Sequence, residues 1–343
     1  MSADLIKDGD IILFKNFTDS KRMDIDLSVI IKPYSHLNEF KADLMLSNGS
    51  DKSTISGFNF NNANIKLNNV SDVLIILNNF TDSKITDNSG VDNSILNNSF
   101  VLKSNSVQFI LFNDCLNDTF AFNDISMNSS NSIFIEIEKS DLTNIHNNSF
   151  DVSGDSVKLI ASDLSNSTNL LYNDVNINAS GNIYAYFANN ETNDKILSNT
   201  ILINDLTNTP IAVCYNNSQA NVVKFNRINS YSIDAQDYAI VIDGANNTIT
   251  NNYLISSNGF RRGDDAANST LNNTVRDNLP VHVYVSVNGS DDGNGTFDNP
   301  YQTIKKAIEK KVGKPAAPAK KPAHKANRSA RLVKKVEAKQ AAK

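Results

Sequence analysis

Short apolar segments separated by clusters of Asn, Ser and Asp recur about every 25 residues, the mark of a stacked repeat. Residues 106–112, 132–138, 156–160, 182–187, 210–215 and 237–242 each alternate apolar and polar positions, which predicts one strand per coil. A second row of aromatic positions precedes them at Phe80, Phe100, Phe120 and Phe150, continued more loosely by Tyr172, Ile201, Phe225 and Tyr253. The phenylalanine spacing starts at 20 residues and then lengthens, so the coils are expected to carry loops of unequal size. Leucine-rich repeats share such periods, but their Leu-x-x-Leu-x-Leu-x-x-Asn pattern does not recur and no helical periodicity separates the strands. The fold class read from this pattern is all-β, a parallel β-helix solenoid.

Coils of this kind must stack. A single one cannot offset the entropy of ordering roughly 25 residues at about 1.5 kcal/mol each, whereas neighbours supply shared hydrogen-bond ladders and buried area. Asparagine suits the corners, because it tolerates the left-handed conformation and its amide can donate to one coil while accepting from the next. The expected structural ladder comprises Asn79, Asn98, Asn123, Asn148, Asn173 and Asn252. Residues 1–50 hold strand-like pieces without a regular Asn ladder and are expected to cap or begin the solenoid. Residues 51–279 are assigned to the Asn-rich coils, about nine or ten of them.

Charge divides the chain. Its formal net charge of −5 combines +11 from Lys310 to Lys343 with −16 elsewhere. The Ala/Lys/Pro-rich residues 310–343 therefore read as a disordered basic tail, able at most to bind an anionic polymer through nonspecific electrostatics. The acidic body has no basic stripe, which argues against a specific nucleic-acid partner. No apolar run is long enough to span a membrane, and residues 11–14 are too short for the core of a secretory signal. The chain is thus expected to be intracellular or an excerpt of a longer protein. Cys115 and Cys214 lie about four coils apart, about 19 Å at one strand spacing per coil, too far for a disulfide.

After the coils, residues 280–309 read as strand, Gly/Asp loop and short helix, with Asn299 as the expected helix cap, Pro300 at its first position, and Tyr301, Ile304 and Ile308 on one apolar face. The pattern Tyr-Val-Ser-x-Asn-Gly-Ser-Asp-x-Gly, followed by Asn-Pro-Tyr-x-Thr-Ile-x-x-Ala-Ile, spans Tyr284 to Ile308. It resembles the opening cap of right-handed parallel β-helix domains in adhesin-like surface proteins of archaea, especially methanogens, and the Asn-rich coils resemble the same proteins. The resemblance implies a right-handed, pectin-lyase-like β-helix. It further implies a noncatalytic, extracellular cell-surface protein whose partners are glycans, cells or wall polymer. In those proteins the cap motif opens a β-helix; here it follows one, as in a segment of a longer surface stalk.

The alternative is a polysaccharide lyase or glycoside hydrolase acting on an acidic polysaccharide, since these enzymes share the fold. Its weak candidates are Asp237, Asp264, Asp265 and Arg261: Asp237 precedes Asp264 by 27 residues, close to one repeat, so both could project beside the arginine from neighbouring coils. A solvated loop in which Arg and Asp neutralise one another is the plainer reading. The Arg262-Gly-Asp264 tripeptide is too short to specify a receptor. Asp291, Asp292 and Asn294 in the Gly-rich loop are weak calcium ligands without the spacing or terminal Glu of an EF-hand. The four histidines show no paired ligand spacing, and no other cofactor is indicated. Asn-x-Ser/Thr sequons recur, among them Asn16, Asn48, Asn117 and Asn246, but a laddered amide would be blocked from glycosylation.

Overall fold

Each coil contributes three strands rather than two, and every strand pairs in parallel with its equivalents one coil away. The structure, a computed structural model, describes residues 6–14, 22–34, 39–205, 210–232, 238–256, 260–262, 272–276, 278–280, 285–292 and 300–307. Sheet A has 12 strands, from Asp10–Phe14 to Thr274–Arg276; sheet B has 11, from Met23–Ile25 to Phe260–Arg262; sheet C has 11, from Glu39–Phe40 to Leu279–Pro280. One coil passes from Leu74–Ile76 in sheet A through Asn79–Thr81 in sheet C and Ile85–Asn88 in sheet B, and returns to sheet A at Ser94–Leu96. The protein is a parallel β-helix. The described strands within the first 50 residues join the same three sheets.

The period lengthens for a different reason from the one expected. Sheet A strands keep three residues through the body of the solenoid, as in Ser94–Leu96 and Lys195–Leu197. Sheet C strands grow from three residues in Asn79–Thr81 to seven in Ser149–Asp155, and sheet B strands from four in Ile85–Asn88 to six in Gln108–Asn113. The extra residues extend the two walls that meet at the C–B corner, and so widen the outer face of sheet B.

Alternation places one side of each strand in a continuous core. Phe60, Phe80 and Phe100 occupy equivalent sheet C positions, and their rings stack at 4.9 and 4.8 Å between centroids, one strand spacing apart. The aromatic row read from sequence is therefore composite. Phe120 belongs to sheet A, between Ile95 and Ile145. Tyr172 and Phe225 are corner residues with positive φ, and the core position beside Tyr253 is filled by Leu254.

Corners are regular in backbone and permissive in side chain. At the A–C corner Leu77, Asn97, Phe122, Asn147, Tyr172, Ser198, Phe225 and Asn251 all have φ between 53° and 59°. The residue that follows each is a buried asparagine: Asn78, Asn98, Asn123, Asn148, Asn173, Asn199, Asn226 and Asn252. Each accepts the backbone N–H of its predecessor one coil away and donates its Nδ2 to a main-chain carbonyl, as Asn148 does to Asn123 and Phe120 at 2.9 and 3.0 Å. Asn98, Asn123, Asn148, Asn173 and Asn252 stand in this column. Asn79 does not: it is exposed on a sheet C strand and donates to Asn59 at 2.7 Å. Where longer strands turn, glycine is required at Gly154, because at φ 138° a Cβ would land on the Ser129 carbonyl.

At the B–A corner two further interior columns are polar, one through Ser165 and Glu191 and one through Thr168 and Asp194. There Glu191 accepts the Ser165 N–H at 3.0 Å, and Asp194 accepts the Tyr186 hydroxyl and the Thr168 N–H at 2.8 and 2.9 Å. Burial, then the neighbouring Asp194 charge, pushes the Glu191 carboxyl up to about 9, and burial pushes Asp194 up to about 7.

The chain divides into two units, Met1–Val281 and His282–Lys343. In the second, Val285 and Tyr301 form a parallel bridge and residues 304–307 are helical. Thr303 caps this turn, its Oγ1 accepting the Lys306 N–H at 3.2 Å, and takes the role expected of Asn299, which lies outside the described residues. Ile304, expected on an apolar face, is 69% exposed, whereas Tyr301 and Ala307 are buried.

Candidate functional site

The outer face of sheet B carries three columns of side chains whose register follows from strand pairing. Gln108, Ile133, Lys158, Tyr184 and Ile211 form the first. Leu111, Glu136, Ala161, Phe187 and Cys214 form the second, and Asn113, Glu138, Asp163, Asn189 and Asn216 the third. Ala161 is the smallest member of the middle column and stands between Glu136 and Phe187. Its missing bulk opens a depression of about 180 Å³ lined by Ile133, Glu136, Lys158, Ala161, Ser162, Asp163, Phe187 and Asn189.

The chemistry of this depression is mixed. The Lys158 ammonium lies 4.3 Å from the centroid of the Phe187 ring, a cation–π contact that fixes both side chains. The Glu136 carboxylate accepts Gln108 Nε2. Burial raises the Glu136 carboxyl above its ordinary range; Glu138 and Asp163 add to the rise, while Lys158 and the Gln108 hydrogen bond oppose it. Along the third column the amides are held in line, with Asn189 donating to Asp163 at 2.8 Å and Asn216 to Asn189 at 2.9 Å. The arrangement offers an aromatic surface, a row of amide and carboxylate oxygens, and one acid that holds its proton to higher pH than usual.

Asp237, Asp264 and Asp265 are outside the described residues, and Arg261 is placed only as backbone in the last sheet B strand, paired with Val241. Asp291 is engaged by Thr303, whose N–H and Oγ1 donate to it at 2.8 and 3.1 Å. Asp292 donates its backbone N–H to Ser290 Oγ at 3.2 Å, and Asn294 is outside the described residues, as is the basic tail. Glu136 and Glu138 had a signal in the sequence: two of the chain's six glutamates sit at alternate positions of one strand, both on its outward side. Neither cysteine forms a disulfide, and Cys115 and Cys214 sit in coils four strands apart along sheet B.

No protein-family model matches the chain, and no curated protein matches it in sequence. Solved structures of similar fold include the catalytic domain of a GH87 alpha-1,3-glucanase in complex with nigerose, at 11% identity and a TM-score of 0.45, covering 79% of this chain and 64% of that one. The A-module of the Azotobacter vinelandii mannuronan C-5 epimerase AlgE6 aligns at 9% identity with a TM-score of 0.36, covering 76% of this chain and 88% of that one. The tailspike of E. coli bacteriophage HK620 aligns at 10% identity and 0.37, covering 80% and 59%. The chain thus spans less than two thirds of the glucanase domain. Among the described residues no helix is long and apolar enough to cross a membrane.

Proposed function

We propose that the chain is a noncatalytic, adhesin-like β-helix that binds a polysaccharide along the outer face of sheet B, displayed at a cell surface. The observation that carries this reading is the depression over Ala161, where the Phe187 ring, the amide column and the carboxylates converge. An aromatic face packs against the apolar face of a sugar ring while amides and carboxylates bond its hydroxyls. Members of each column follow one another at the strand spacing of ~4.8 Å, so a linear polymer running along the solenoid meets an amide or carboxylate of the third column, Asn113 to Asn216, at every coil. Three carboxylates, Glu136, Glu138 and Asp163, face one ammonium, Lys158, which favours a neutral glycan over an acidic one. Resemblance of the cap motif and coils to archaeal adhesin-like proteins supports the surface location.

Affinity electrophoresis against neutral and acidic polysaccharides, with and without residues 310–343, tests this. Neutral polymer is expected to retard the protein whether or not the tail is present, and Phe187→Ala to weaken retardation about tenfold, the equivalent of ~1.4 kcal/mol. Retardation that vanishes with the tail, or is unchanged by Phe187→Ala, would overturn the reading.

A second reading has one observation in its favour, the raised carboxyl of Glu136 beside two further carboxylates. That is the environment of a general acid. It predicts new reducing ends on incubation with the bound polymer, and their loss in Glu136→Gln.

A further inference from the structure

Three departures from the repeat meet at one interior corner. Asp87 points inward on sheet B at a position held by Leu67 and Phe112 in the adjoining coils. Gly90 occupies a corner position held by Cys115 in the next coil, and a Cβ there would collide with the Asp87 carboxylate and the Asn93 amide. Asp118 replaces the amide of Asn93 one coil along, accepting the Asn93 N–H at 2.9 Å. Glycine thus removes the bulk that would exclude the Asp87 carboxylate, and Cys115 and Asp118 arrive from the neighbouring coil to face it.

The donors there are incompletely used. Asp87 Oδ2 accepts Asn93 Nδ2 at 2.9 Å, but Asp87 Oδ1 and Asp118 Oδ2 have no hydrogen-bond partner outside the cluster, where the two carboxyls and the Cys115 thiol face one another, although Asp87 and Asp118 are 1% and 0% exposed. One ligand atom from each of Asp87, Cys115 and Asp118 lies within 4.8 Å of the others. The polar cluster three coils further on differs in its donor set: no thiol takes part and the Tyr186 hydroxyl donates to Asp194, although Glu191 Oε2 there is also without a partner. Burial of unpartnered carboxylate oxygens is costly unless a cation or a proton compensates.

We propose that Asp87, Cys115 and Asp118 form a buried structural site for a transition-metal dication, zinc by preference, enclosed by two successive coils. A thiolate with two carboxylate oxygens is a borderline-soft donor set that suits zinc or cobalt better than calcium or magnesium. Donors held ~2.0–2.3 Å from a tetrahedral zinc ion stand about 3.5 Å apart, a modest contraction of the observed cluster, and a water or a backbone oxygen completes the four. Binding releases the thiol proton, and any proton held by the carboxylates, to solvent. Because the site lies inside the coils, the metal enters as they close during folding. The ion ties sheet B and the B–A corner of one coil to the next.

The full chain, unfolded and refolded under reducing conditions with zinc or cobalt alone, gives the test. The expected result is about one metal per chain by elemental analysis after dialysis, a near-ultraviolet thiolate-to-cobalt charge-transfer band, and a melting temperature several degrees above that of chain refolded with chelator. Cys115→Ser is expected to abolish the charge-transfer band, while Cys214→Ser retains it. Wild-type chain that takes up less than about 0.1 metal per molecule under both conditions overturns the proposal without reliance on any variant. Metal uptake whose charge-transfer band persists in Cys115→Ser overturns it equally.

Discussion

Asn148→Ala destabilises the solenoid by about 4 kcal/mol, while Asn79→Ala, one residue off the same column, changes stability by less than ~0.5 kcal/mol. The asymmetry follows from what each amide bonds. Asn148 Oδ1 accepts the Asn123 N–H at 2.9 Å and the Asn123 amide at 3.2 Å, and its Nδ2 donates to the Phe120 carbonyl and to Asn173 Oδ1, each at 3.0 Å. Truncation leaves a main-chain donor and a main-chain acceptor buried without partners, each worth about 1–3 kcal/mol, and opens a gap that water cannot reach easily. Asn79 makes its one side-chain bond in solvent, where water replaces it. Native-state hydrogen exchange read coil by coil checks this. Protection should collapse around residues 120–175 in Asn148→Ala and stay unchanged in Asn79→Ala. Equal effects of the two substitutions would show that the column is not what holds successive coils in register.

How far the sequence discloses this architecture depends on strand length. The sheet B segments were legible because four to six residues are enough to show alternation. Sheet A was not, since three residues such as Ser94–Leu96 carry at most one full alternation. Its members were absorbed into the aromatic row, where Phe120 stood beside Phe100 although the two occupy different sheets. Corner positions misled for a related reason. Left-handed conformation usually implies Gly or Asn, yet Leu77, Tyr172 and Phe225 adopt it, because the laddered asparagine that follows and the stacked neighbours dictate the backbone whatever the side chain. The Asn78/Asn79 ambiguity is of the same kind: composition identifies an amide column, but only register says which of two adjacent asparagines faces inward.

The functional face was less legible than the fold. Its depression depends on Ala161 standing between Glu136 and Phe187, three residues separated by about one coil each in sequence and adjacent only through register. The densest charged motif, residues 261–265, is conspicuous in sequence because its charges are contiguous, whereas a solenoid brings chemistry together across coils. The interior acids were hidden more completely, since Asp87, Asp118 and Glu191 look like any other polar residue of a corner until the strand pairing turns them inward.

Glu191 makes the chain lose stability as pH rises, opposite to the behaviour of a salt-bridged carboxylate. Its folded carboxyl stands at about 9 against an ordinary 4.5, first through burial and next through the Asp194 charge. The folded state therefore binds more protons than the unfolded state between these values, and the stability this proton confers is full below pH ~4.5 and falls as pH rises through the folded value. The groups that face it are Asp194, whose carboxyl is raised to about 7, the Tyr186 and Tyr215 phenols, both pushed upward by burial, and Asp163 and Ser162. None of these is a cation that could hold the charged carboxylate in place. The expected loss between pH 5 and pH 9 is several kcal/mol, a fall of about 10 °C in melting temperature at 2–4 °C per kcal/mol. Glu191→Gln should reduce that slope without abolishing it, since burial also raises Asp194, Asp87 and Asp118; the amide keeps an oxygen to accept the Ser165 N–H and carries no charge to bury. Thermal melts of wild type and Glu191→Gln across this range decide the matter. A wild-type melting temperature that rises with pH, or a slope identical in the variant, would show that the Glu191 carboxyl does not hold a proton through this range.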